Sequence, residues 1–165
     1  MSAFELAHLN IAAMKEPLDS PAMADFVANL DRINSLAEAS PGFVWRLQDD
    51  AGDATAMRPL GENTLVNLSV WTDIASLSRY VYQSAHVDIM RRRKDWFETM
   101  TQASLVLWWV GRGHRPGIEE AVARLQLLRS SGPTEGAFTF RQAFAPPDQA
   151  DPGGTSVVRG DRPAV

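Results

Sequence analysis

The hydrophobic pattern of this chain predicts an α+β fold, in which a β-α-β-β-α-β succession folds into one antiparallel sheet overlaid by helices. Three observations carry that prediction. Leu65-Val-Asn-Leu-Ser-Val-Trp71 alternates as a strand does. Met23, Phe26, Val27, Leu30, Ile33, Leu36 and Ala37 recur at spacings of three and four, which makes one helical stripe. The 165 residues are 45% hydrophobic, enough to bury the core of a single domain.

The elements follow in chain order. Phe4 to Met14 is the first extended run, closed by Pro17. Ser20 followed by Pro21 is an N-cap with proline in the first helical position, and Pro41-Gly42 ends the helix. Phe43 to Leu47 forms a short second strand, and Asp49 to Asn63 reads as a loop or splayed hairpin. After the third strand, Thr72 or Asp73 caps a helix through Ile74, Leu77, Tyr80 and Val81. From Ser84 to Phe97 the pattern continues either as a second helix re-capped by Ser84 or as one kinked helix. Ser104 to Val110 is the fourth strand and Gly111 to Gly117 a turn. Ile118 to Arg129 is a third amphipathic helix, ended by Ser130-Ser131-Gly132-Pro133. Ala137 to Phe140 adds a short strand. Beyond Arg141 the chain has Pro146-Pro147, Pro152-Gly153-Gly154 and no apolar period, so residues 1–141 are expected to form the domain and 142–165 a disordered tail. The succession is that of the ferredoxin-like split βαβ arrangement.

Composition removes several function classes. The absence of cysteine excludes disulfide stapling, thiolate catalysis and cysteine-ligated metals. A net charge of -4 argues against a nucleic-acid partner, which requires a concentrated cationic surface. The N-terminal Met-Ser-Ala-Phe-Glu-Leu-Ala-His lacks a cationic and apolar leader, and Ser104 to Val110 is far short of the roughly 20 residues that a membrane helix needs. A cytoplasmic protein with no membrane partner is expected. No phosphate-cradling glycine loop, G-x-S-x-G elbow or H-E-x-x-H helix is present. Three scattered histidines permit a metal site without predicting one, so no metal or cofactor is expected.

Alternation sorts the strand residues by face. Val66, Leu68 and Val70 share one face of the third strand, and Leu65, Asn67, Ser69 and Trp71 the other. On the first strand Leu9 and Ile11 oppose Leu6, His8 and Asn10. The apolar set is expected under the helices, which leaves the mixed face needing a cover. The facing of Trp45, Arg46, Trp108 and Trp109 is not fixed by pattern. A face with His8, Asn10, Asn67, Ser69 and tryptophan suits a ligand pocket, where apolar walls hold a few convergent polar groups. It also suits a dimer seam or a half-solvated sheet face.

The phrases His8-Leu-Asn10-Ile, Asn34-Ser-Leu-Ala37, Ser40-Pro-Gly-Phe-Val-Trp-Arg46, Ser69-Val-Trp71, Tyr82-Gln-Ser84-Ala-His86, Arg93-Lys-Asp-Trp-Phe97 and Leu107-Trp-Trp109 resemble the dimeric α+β barrel superfamily over residues 4 to 141. That group includes antibiotic-biosynthesis monooxygenases that use no cofactor, polyketide cyclases, muconolactone isomerases and haem-degrading monooxygenases. More closely, the phrases resemble the family known as domain of unknown function 3291. The resemblance implies a homodimer whose two sheets close into a barrel, sealing the mixed face, with a pocket in each subunit between sheet and helices. It implies functional roles for a first-strand Asn, matched by Asn10, for a Trp, and for a His near the second helix, matched loosely by His86. The haem-ligating His of the haem-degrading branch stands farther along its helix.

Candidate catalytic residues are therefore His86 or His8 as general base, with Asn10 and Asn67 as amide donors to a developing oxyanion. Asn67, Ser69, Trp71, Trp45, Arg46 and Trp108 are the candidate substrate-binding residues. The Arg91-Arg92-Arg93-Lys94 run reads as a solvated helix face. His114, in a Gly, Arg and Pro-rich turn, reads as structural or solvated. The expected function is binding of an aromatic or polyketide-like small molecule, with cofactor-independent monooxygenation, isomerisation or cyclisation through proton abstraction. The alternatives are a non-catalytic metabolite-binding or assembly protein, and a haem-binding or haem-degrading one.

Overall fold

The computed structural model describes residues 2–84 and 86–149, together with the backbone of 157–158. Four strands, β1 (Phe4–Ala13), β2 (Phe43–Arg46), β3 (Thr64–Trp71) and β4 (Leu105–Gly111), form one sheet in the order β2-β3-β1-β4. Every neighbouring pair is antiparallel. The helices α1 (Ala24–Ala39) and α2 (Ile74–Gln83) connect β1 to β2 and β3 to β4. The expected β-α-β-β-α-β succession and ferredoxin-like topology are therefore present.

The register of β1 against β3 sets Leu6 opposite Trp71, His8 opposite Ser69 and Asn10 opposite Asn67. With a period of two, these six side chains share one face, joined on β4 by Leu105, Leu107 and Trp109. The other face carries Ala7, Leu9, Ile11, Val66, Leu68, Val70, Val106, Trp108 and Val110, all buried.

The cover of these two faces differs from the expectation. α1 and α2 lie on the mixed face, where Ala37, Leu77, Tyr80 and Val81 pack with Leu6, Trp71 and Leu107. The apolar face is covered by α5 (Ile118–Ser131) through Ala121, Leu125 and Leu128, and by Ala54, Met57 and Leu60 of the loop before β3. The mixed face is thus roofed by the chain's own helices, which leave Asn67 exposed at its edge. The physical reason lies at the C-terminal side: α5 supplies a third apolar stripe that fully buries a face with no polar group to satisfy.

Local chemistry explains the element ends. Ser20 occupies an N-cap position with Pro21 next, but its side chain makes no capping bond, because the chain enters through a 3-10 turn, Pro21–Met23. Asp73 caps α2 by accepting from Ser76 N at 2.7 Å. The choice left open at Ser84 resolves as a break: Ser84 Oγ donates to Tyr80 O and accepts from His86 N at 3.2 Å. Two short helices follow, α3 (His86–Arg91) and α4 (Arg93–Trp96). At Ser40-Pro-Gly-Phe43, Phe43 N donates to Ser40 O at 3.1 Å, and Gly42 takes φ 86° at the position of a type II turn that requires it. A Cβ on Gly42 would collide with Ser76 Cβ and Oγ, so the turn also docks the start of α2.

Residues beyond 141 pack against the domain as far as they are described to Gln149. Ala143 and Phe144, which form β5 (Ala143–Phe144), are buried, and Phe144 O accepts from Trp109 Nε1 at 2.9 Å. Asp148 accepts from Ala3 N at 2.7 Å and Ser2 Oγ at 2.8 Å. β5 pairs with β6 (Val157–Val158). The other residues of the expected tail, 150–156 and 159–165, lie outside the described residues. The strand expected at Ala137 to Phe140 is reduced to a bridge, Phe138 exchanging two 2.8 Å backbone hydrogen bonds with Leu107. Gly42→Ala is expected to cost about 2 kcal/mol or more from the left-handed strain and the lost docking together, measured by urea unfolding against the wild type. Gly52→Ala, at a positive φ with open space around it, is expected to cost only about 1 kcal/mol.

Candidate functional site

Between the mixed face of the sheet and the helices α1, α2 and α3 lies a cavity with two lobes of about 150 and 160 Å³. Asn10, Asn34, Arg46, Asn67, His86, Met90 and Arg93 line both, so the lobes share one wall. An apolar cavity of about 150 Å³ accepts a benzene-sized ring. The outer lobe is walled by Ala12, Phe26, Leu30, Ile33, Leu65 and Phe97, and the inner one adds His8, Ser69, Trp71 and Tyr80.

Strand parity places most of the polar groups. His8, Asn10, Asn67 and Ser69 follow from the β1–β3 register. Arg46 joins them through a bulge: Phe43 pairs with Trp71 but Trp45 with Val70, so one extra residue on β2 shifts the parity. Phe43 and Arg46 thereby face the cavity, while Val44, Trp45 and Leu47 pack against the apolar core. Without the bulge Arg46 would point the other way.

The two histidines differ in environment. His8 is buried, with Nδ1 3.2 Å from Ser69 Oγ, which also accepts from Trp71 Nε1 at 3.0 Å. Whichever way the Ser69–His8 hydrogen points, His8 Nε2 has no protein partner among the described residues. Burial, and then the positive charge of a protonated His86, push the His8 pKa down to about 3, so this ring is neutral at pH 7. His86 is half-buried, and its Nδ1–H donates to Val81 O at 3.3 Å, which leaves the lone pair on Nε2. Burial lowers its pKa; the Val81 bond opposes this and Arg93 adds to it. An aromatic ladder holds the ring: Phe43 meets Trp71 edge-on at 5.4 Å, Trp71 stacks on Tyr80 at 5.2 Å, and Tyr80 lies 5.0 Å from His86.

Of the sequence candidates, His86, His8, Asn10, Asn67, Ser69, Trp71 and Arg46 are brought to one cavity. No hydrogen bond joins the two amides across the Asn10–Asn67 pair among the described residues. Trp45 and Trp108 are not brought there. Both lie on the opposite face, and Trp108 Nε1 donates to Glu120 Oε1 at 3.1 Å, with Glu120 Oε2 2.7 Å from His114 Nε2. That chain ties the Gly111–Gly117 turn to α5 and gives His114 a structural place. Arg46 is already paired, donating to Glu38 Oε1 at 2.8 Å and Gly52 O at 2.7 Å.

Asn34 and Arg93 are among the polar lining residues that escaped the sequence reading. Asn34 lies on α1 between Leu30 and Ala37, a polar residue inside an apolar stripe, and that interruption is its signal. Arg93 belongs to the run read as a solvated face. Arg91, Arg92 and Lys94 are exposed, but Arg93 turns inward; its spacing with His86, Met90 and Phe97 carried that information. Among the described residues no group of three or more His, Asp or Glu is placed to hold a metal ion, and no helix is long and apolar enough to cross a membrane.

Residues 5–154 match the model of the DUF3291 family, a domain of unknown function. The chain belongs to the DUF3291 family. No curated protein has a significant match to it. Among solved structures, this DUF3291 chain is similar to SnoaB, a cofactor-independent oxygenase from Streptomyces nogalater, at 20% identity over 70% of this chain and 100% of the other, TM-score 0.45. It is also similar to a putative antibiotic biosynthesis monooxygenase from Nitrosomonas europaea, at 12% identity over 71% and 97% of the two chains, TM-score 0.43. A dabb family protein with a ferredoxin-like fold from Mesorhizobium loti is similar at 16% identity over 68% and 99%, TM-score 0.41.

The buried, neutral His8 makes the DUF3291 domain acid-sensitive. Below the ordinary imidazole pKa of 6.5 the unfolded chain binds a proton that folded His8 refuses until about pH 3, so stability falls as pH falls through that window. Between pH 7 and 5 the loss from this group is expected to reach about 2 kcal/mol. Urea unfolding at the two pH values checks it, and His8→Gln is expected to flatten the difference.

Proposed function

We propose that this protein binds a flat aromatic or polyketide-like molecule in the two-lobed cavity and removes a proton from an acidic carbon of it. The observation that supports this most is the His86 geometry. Val81 O fixes the Nδ1–H tautomer, which leaves Nε2 as the proton acceptor, and His86, Asn10 and Asn67 line the same cavity. A base beside amide donors is what enolate formation requires, because negative charge develops on the oxygen as the proton leaves. His8, with its pKa near 3, is too weak a base for this task and serves as a neutral hydrogen-bonding group.

In this reading one ring occupies the outer lobe, the rest of the ring system extends outward from it, and Trp71 and Tyr80 back the inner lobe. His86 Nε2 takes the C–H proton and the amide N–H groups hold the enolate oxygen. With an anthrone-type substrate, molecular oxygen then accepts the electrons of the carbanion. A hydroperoxide forms and loses water, so CH₂ and O₂ become C=O and H₂O. The oxygenase activity named for SnoaB is of the same class, but the geometry here supports the reading without that likeness. A homodimer is compatible with this reading, since every group it uses comes from one chain.

Oxygen uptake with an anthrone-type tricyclic substrate, accompanied by quinone formation, is the expected result. His86→Ala is expected to lower kcat by about 10²- to 10⁴-fold. Because burial lowers the His86 pKa, kcat/KM is expected to rise with pH and reach its plateau with a midpoint below 6.5. Unchanged turnover in the His8→Gln, His86→Ala double variant would remove the base assignment. Saturable binding with neither oxygen uptake nor an isomerised product would leave a metabolite-binding protein.

A further inference from the structure

We infer that the natural ligand is an anion: an aromatic molecule whose carboxylate is held by Arg93 at the inner lobe while its rings extend outward through the outer one. This deepens the binding reading above and rests on it.

The charge inventory of the cavity carries the inference. The inner lobe is lined by two arginines, two histidines, three asparagines and no carboxylate. Arg46 is satisfied within the protein by Glu38 and the carbonyl of Gly52. Of the neighbours of Arg93 in the basic run, Arg92 pairs with Asp25 at 3.0 Å and Asp95 at 3.3 Å, Arg91 lies 3.7 Å from Asp88, and Lys94 is exposed to water. Arg93 differs from them. It is half-buried, lines both lobes, and forms no ion pair or side-chain hydrogen bond among the described residues. A partly desolvated guanidinium without a partner loses solvation and gains nothing in return, unless a ligand supplies the acceptor. A carboxylate matches its planar fork with two parallel N–H···O bonds.

One further observation orients the ligand. The outer lobe carries Asp53, whose Oδ1 accepts from Thr55 N at 2.8 Å and Thr55 Oγ1 at 2.6 Å, and this carboxylate repels an anion. The charged end of the ligand is therefore directed inward and the apolar rings outward. A carboxylate on Arg93 also offsets the repulsion between that guanidinium and a protonated His86, so ligand binding strengthens the base.

The test compares anthraquinone-2-carboxylate with anthraquinone-2-carboxamide by titration calorimetry on the full chain. The two share rings and differ in charge. Wild type is expected to bind the carboxylate about 10- to 100-fold more tightly. Arg93→Met is expected to erase that preference while leaving amide affinity within about twofold, and Arg93→Lys to retain part of it. Raising ionic strength from about 0.05 to about 0.5 M should weaken carboxylate binding and leave the amide unchanged, a readout that needs no variant. Equal affinities in the wild type, or a preference that survives in Arg93→Met, would overturn the anion assignment while amide binding still upheld the aromatic pocket. Binding of neither compound would overturn both.

Discussion

The register of β1 between β3 and β4 is the constraint on which the molecule depends. It places Leu6, His8, Asn10, Asn67, Ser69 and Trp71 under one layer of helices, and nine apolar residues under another. Slippage by one residue would send Val66 and Leu68 to the cavity and bury Asn67 and Ser69 against α5, where nothing could satisfy them. The apolar face holds this register because each of its residues is buried and none has a polar alternative. The stability of one side of the sheet thus fixes the chemistry of the other.

Within the cavity, the same imidazole chemistry is divided between two settings. His8 is enclosed, bonded to Ser69 and held neutral by desolvation. His86 stands at the start of a short helix, with one nitrogen committed to a backbone carbonyl and the other uncommitted. The ladder from Phe43 through Trp71 and Tyr80 to His86 links β2, β3, α2 and α3 into one wall, so the position of the base is tied to sheet packing. The break at Ser84 contributes to this geometry, since a continuous helix from Ile74 to Trp96 would carry His86 past the Val81 carbonyl that orients it.

The C-terminal part changes what the fold requires of its surroundings. A split βαβ sheet with helices on one side leaves an apolar face open, and a second copy is one way to close it. Here α5 and the loop around Ala54, Met57 and Leu60 close it within the chain. The bonds from Trp108 to Glu120 and from Glu120 to His114 hold α5 to that face. Phe138 and Phe144 extend the packing on the opposite side, beneath α2.

The sequence by itself determined the order of elements, their approximate ends, and the grouping of His8, Asn10, Asn67 and Ser69 on one sheet face, because period-two alternation and turn chemistry are local properties. It did not determine which layer would cover that face, since α1, α2 and α5 are all amphipathic and only three-dimensional packing assigns each to a side. It did not fix Trp45, Arg46 or Trp108 either: a one-residue bulge in β2 and two adjacent tryptophans in β4 leave the alternation without a phase. Arg93 was hidden in a run of four like charges, three of which are exposed. Its spacing with His86, Met90 and Phe97 placed it on their side of the helix, but which way that side faces is set by the helix break at Ser84 and the packing of α3 against α1, which are non-local contacts.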